Sequence, residues 1–172
     1  MIFSILTFIA ICLSLLIKER TKSLHVYSIS CICESLYCIT VGALTGTFLG
    51  IINFIRTYLF SCREIFSKKA YFSLFLFFEF VVFLNFIITY DGTISLLPTM
   101  ASIIGIYCLW VPHTKYLKFS SLIKGMFYAV YYAYYDGWFL VWGYTVVFLF
   151  SFYILIKDER KKSFLQIIKL RR

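Results

Sequence analysis

The chain has 172 residues, 62% hydrophobic and 22% aromatic, with a formal charge of +9 and a mean hydropathy of +0.88. A soluble domain is about 45–50% apolar, so this composition excludes an ordinary water-soluble core and predicts an all-α, polytopic membrane protein. The six cysteines (Cys12, Cys31, Cys33, Cys38, Cys62 and Cys108) lie in apolar runs and read as small apolar side chains, not as a disulfide framework or a metal site.

Residues 1–17 are apolar, with no basic residue before them and Lys18, Arg20 and Lys22 after them. A cleaved signal peptide has the opposite polarity, so a retained helix with an outside N-terminus is expected. A second helix is expected over 24–41, interrupted by Glu34. An uncharged turn at 42–46 leads to a third helix over 47–62, which carries Asn53 and Arg56. A basic loop at 63–69 precedes a Phe-rich helix over 70–90 with Glu79 and Asn85. Asp91-Gly92 marks a tight turn. A fifth helix over 93–111 contains Pro98. A basic loop at 112–118, a sixth helix over 119–135, a turn at Asp136-Gly137, a seventh helix over 138–156 and a basic tail over 157–172 complete the chain.

Charge orients these helices. The segments facing one side carry three, three, two and seven Lys and Arg, and the turns facing the other carry none. A basic excess marks cytoplasmic loops, so the pattern predicts seven spans with the N-terminus out and the C-terminus in. Tyr37 and Gly42 find counterparts in Tyr132 and Gly137, 95 residues on. That suggests two parallel three-helix bundles, over 1–62 and 93–156, joined by the helix at 70–90: a 3+1+3 arrangement in a single membrane domain.

Asn53 and Arg56 are three residues apart and share one helical face. Charge in hydrocarbon costs about 2.5–3.5 kcal/mol on insertion scales, so Arg56 needs a partner or a watery cavity. Counting about 1.5 Å per residue puts Glu34, Asn53, Arg56 and Glu79 in one mid-membrane slab. Glu34 or Glu79 is expected to pair with Arg56, with Asn53 lining a solute pathway; a structural ion pair is the plainer alternative. Pro98 is expected to kink or hinge its helix. Lys124 reads as a snorkelling residue. The tyrosines from Tyr128 to Tyr135, with Trp138 and Trp142, read as an aromatic belt, or else as a platform for a flat solute. Gly46-x-x-x-Gly50 suits close helix packing and is compatible with a homo-oligomer. No catalytic constellation, metal cluster or cofactor motif stands out, so no enzyme activity is expected. The basic loops and tail suit anionic lipid headgroups, not nucleic acid.

Residues Leu24-His25-Val26-Tyr27-Ser28, the polar residue in mid-helix that follows, Ile52-Asn53-Phe54-Ile55-Arg56-Thr57 and Leu96-Leu97-Pro98 resemble the YgjV family of bacterial inner-membrane proteins. That family is grouped with the SWEET, PQ-loop and PnuC-type carriers, built from two three-helix bundles and a linker helix. The resemblance implies a multi-pass inner-membrane carrier or facilitator for a small polar or aromatic solute. A non-transporting receptor or assembly partner is the alternative.

Overall fold

The computed structural model describes residues 2–111 and 113–170, with the side chains of residue 114 and residues 158–170 outside the description. Seven helices make up these residues: α1 (Ile2–Leu16), α2 (Arg20–Thr40), α3 (Leu44–Ser61), α4 (Lys68–Ile88), α5 (Leu96–Trp110), α6 (Thr114–Tyr134) and α7 (Trp138–Leu170). Short 3-10 turns at Arg63–Ile65 and Thr93–Ser95 lead into α4 and α5. Consecutive helices pack within α1–α3 and within α5–α7. The α4 helix leans on both α3 and α5, and α1 meets α7.

Among the described residues, three stretches are long and apolar enough to cross a membrane on their own account: Lys68–Ile88, Thr93–Trp110 and Trp138–Lys157. The other helices are short, like α1, or dilute their apolar surface with polar side chains that they bury. Ser28, Ser30, Glu34 and Ser35 on α2 and Thr45, Thr47, Asn53, Arg56 and Thr57 on α3 all face inward. Outward-facing positions are apolar: on α4, Phe72, Phe77, Phe80, Phe83 and Ile87 are exposed, and only a stripe of Tyr71, Phe78, Val82 and Asn85 is buried. Exposed apolar surface on this scale suits lipid, not water.

Helix starts recur at a fixed interval. The first three helices begin at residues 2, 20 and 44 and the last three at 96, 114 and 138, a constant offset of 94; α1 and α5 are both 15 residues long, and α2 and α6 are both 21. The turns repeat too. Gly42 N–H donates to Ile39 O, Ala43 N–H to Cys38 O and Leu44 N–H to Gly42 O; Asp136 N–H donates to Ala133 O, Gly137 N–H to Tyr132 O and Trp138 N–H to Asp136 O. Gly42 and Asp136 both have positive φ, +71° and +53°. The offset of 95 expected from the two glycines is one residue too long: the equivalent of Gly42 is Asp136, because the left-handed position, not the glycine, defines the turn. Asp tolerates that conformation through its short polar side chain.

Gly50 explains how α2 and α3 approach so closely. A Cβ there would lie 2.6 Å from Ser35 Cβ and 3.0 Å from Cys31 O, and one at Gly46 would lie 2.8 Å from Cys38 Sγ. The Gly46/Gly50 face is therefore used inside the chain, not held free for a second copy.

Most helix boundaries shift by a few residues from the sequence expectation, and two of these shifts bear on the site. The sixth helix starts at Thr114, not 119, because Lys115-Tyr116-Leu117-Lys118 continues the helical turns. Pro98 falls in the first turn of α5. A proline there replaces an N–H that has no intrahelical acceptor, so nothing in its position demands a kink. The expectation for the tail's side chains lies outside the described residues.

Candidate functional site

Two polar clusters lie between an apolar core around Tyr37, Tyr128, Tyr131, Leu140 and Val147 and another around Leu49, Phe60, Phe78 and Ile106. The first is built on Glu34 of α2, which is 0% exposed. Its Oε2 accepts from Lys124 Nζ of α6 at 2.7 Å. Its Oε1 accepts from Tyr132 Oη at 3.0 Å and from Tyr144 Oη of α7. Three donors around one carboxylate match its ionised form, which accepts hydrogen bonds and donates none. Lys124 is packed over the rings of Tyr128, Tyr27 and Tyr144, at 4.6, 5.4 and 5.8 Å from their centroids. Desolvated cation–π contacts of this kind are each worth about 2 kcal/mol.

The second cluster is built on α3. Arg56, 2% exposed, donates from Nη1 to Ser102 O at 2.9 Å. Ser102 Oγ in turn donates to Asn53 Oδ1 at 2.8 Å. Among the described residues, Arg56 Nε has no hydrogen-bond partner. Gly105 of α5 makes room for the guanidinium: a Cβ there would lie 3.3 Å from Nη2.

A cavity of about 30 Å³ separates the clusters. Its wall includes Ser14 of α1, Tyr27 of α2, Asn53 and Arg56 of α3, Ser102 and Gly105 of α5, and Ser120, Lys124 and Tyr128 of α6. That volume suits roughly two water molecules.

The expected ion pair is thus replaced by another. Neither Glu34 nor Glu79 forms an ion pair with Arg56; Glu34 takes Lys124 instead. Glu79, partly buried on α4, acts on Arg56 only at a distance and does not line the cavity. Lys124 does not snorkel: it is 5% exposed. It stands ten residues into α6, about 15 Å along the axis, too deep to reach the helix end. The tyrosine belt divides in two. Tyr134, Trp138 and Trp142 are exposed as a belt requires, whereas Tyr128, Tyr131, Tyr132 and Tyr144 are at most 1% exposed and line the polar interior. Tyr144 carries no signal in the sequence. Lys124, Tyr128 and Tyr132 do: at intervals of four they share a helical face.

Residues 1–162 match the model of the Imp-YgjV family, described as a bacterial inner membrane protein. The chain belongs to that family. No curated protein and no solved structure matches it. In this Imp-YgjV chain the apolar exterior and the three span-length stretches accord with the membrane location that the family description gives.

Proposed function

We propose that the chain is a small-solute carrier or facilitator, with seven spans arranged 3+1+3, the N-terminus outside and the C-terminus inside. The observation that carries this reading is the cavity itself. Its wall draws polar side chains from both sets of helices, and it holds Arg56 and Lys124 inside a bundle whose exterior is apolar. Intramembrane ionisable groups around a cavity mark solute or ion paths in transporters. The constant offset of 94 supports two like-oriented repeats, the plan shared by SWEET, PQ-loop and PnuC-type carriers. The distribution of Lys and Arg supports the orientation. Asn53 and Arg56 would contact the solute. Glu34, held by Lys124 and two tyrosines, would position Lys124, and Glu79 would tune the field from outside the wall. No catalytic step belongs to this reading. At the basic end, Arg63, Lys68, Tyr71 and Trp110 line an open groove of about 450 Å³ suited to an anionic headgroup.

Flux in proteoliposomes tests the proposal. Uptake of at least one solute class, lost in Asn53→Ala, is the expected result. A second reading, a non-transporting membrane scaffold, draws on the tightness of the cavity and on the buried Glu34–Lys124 bond that ties α2 to α6. Absence of flux for every class, with a membrane partner co-purifying at fixed stoichiometry, would establish it instead.

A further inference from the structure

We infer that the cavity binds a small monovalent anion of halide, nitrate or formate size, with Arg56 as its principal ligand. The inference rests on the carrier reading for its physiological purpose, but not for the binding itself.

Charge balance at the wall comes first. Among the described residues two cations, Arg56 and Lys124, line the cavity, and no carboxylate does. Lys124 has its counter-ion in Glu34 at 2.7 Å. Arg56 has none in contact. Its guanidinium offers five N–H donors in a planar fork, and the structure gives it one carbonyl acceptor, Ser102 O. Nε is buried without a partner among the described residues. A desolvated guanidinium in this state is an anion site lacking only the anion's lone pairs.

The surroundings suit the same ligand. Ser102 Oγ donates to Asn53 Oδ1, which fixes the amide so that its nitrogen is a further donor at the wall. Ser120 contributes a hydroxyl to the same wall. Gly105 keeps the space between them clear: a methyl there would sit 3.3 Å from Arg56 Nη2 and 3.5 Å from Ser120 Oγ. Size then selects among anions. A cavity of about 30 Å³, room for roughly two waters, takes an anion of about one to four heavy atoms and excludes the larger sulfate, phosphate and gluconate.

The test is thermal unfolding of the purified full-length protein in nanodiscs, in gluconate buffer at constant ionic strength, with chloride, nitrate, formate or sulfate titrated in. Ligands that bind the folded state raise its midpoint saturably. The expected result is a saturable rise of several degrees with chloride, nitrate and formate, and none with sulfate. Gly105→Ala should fold, since Ala is the better helix former, and should weaken the apparent anion affinity about tenfold or more. Arg56→Gln should abolish the response; if it fails to fold, Gly105→Ala decides alone. A midpoint indifferent to anions overturns the inference. So does a response of equal size in Gly105→Ala, which would be a general salt effect. Anion binding with no flux of any solute would retain the inference and reject the carrier. Flux of a neutral solute without an anion response would do the reverse.

Discussion

The helices before α4 and those after it start at a constant offset and share their turn geometry, yet their polar endowments differ sharply. At an offset of 94, Glu34 faces the equivalent of Tyr128, and Lys124 that of Ser30. Asn53 and Arg56 correspond to Val147 and Phe150, and Gly50 to Tyr144. The backbone plan is therefore duplicated, while the chemistry is divided: the first set gives the acid and the arginine, the second the lysine and the phenols. A shared backbone shows where a site can be built. It does not show what the site contains.

The largest expected effect comes from splitting the bond between the two sets. Glu34→Gln or Lys124→Met leaves one buried charge without its partner, at a cost of about 3–5 kcal/mol. Thermal unfolding of the detergent-solubilised protein should show either single variant losing most of its folded yield. Glu34→Gln combined with Lys124→Met should recover part of the loss; a double variant as poor as the sum of the singles would mean that the two residues do not act as a pair.

Equivalent positions 50 and 144 sharpen the comparison. Gly50→Ala forces α2 and α3 apart and should cost about 1–3 kcal/mol. Tyr144→Phe removes one donor from Glu34 while leaving the ring, and should cost about 1–3 kcal/mol through the weakened carboxylate. The two can be told apart by adding Lys124→Met: coupling should appear with Tyr144→Phe and be absent with Gly50→Ala.

The smallest effects have opposite signs. Gly42→Ala places a Cβ at positive φ and should lower stability by about 1 kcal/mol, whereas Asp136→Gly relieves the same conformation and should be neutral or slightly stabilising. Equal losses from both would refute the equivalence of the two turns.

Much of this was legible from residue order. Composition gave an all-helical membrane chain, and the three-residue spacing of Asn53 and Arg56 put both on the cavity wall; the glycine landmarks came within one residue of the observed offset of 94. Partner choice was not legible. Arg56 and Glu34 looked complementary by depth alone, but depth along a helix says nothing about which way a side chain turns around it. Lys124 was misplaced because the basic loop was carried to Lys118; with α6 starting at Thr114, its depth and its tyrosine neighbours follow. Pro98 stands in a first turn, not inside a helix, because α5 begins at Leu96, three residues later than the run of apolar residues suggests. Tyr144 sits in an apolar run whose pattern does not distinguish it from its lipid-facing neighbours.

Joining both triplets in one polypeptide has a further consequence. Were the molecule a pair of identical subunits, any acid introduced at position 34 would appear twice about the twofold axis, and like charges would oppose one another across it. Covalent linkage through α4 lifts that restriction, so one glutamate can meet one lysine with no mirror copy to neutralise. The Phe-rich connector thereby permits electrical asymmetry between two sets of helices that begin at the same intervals.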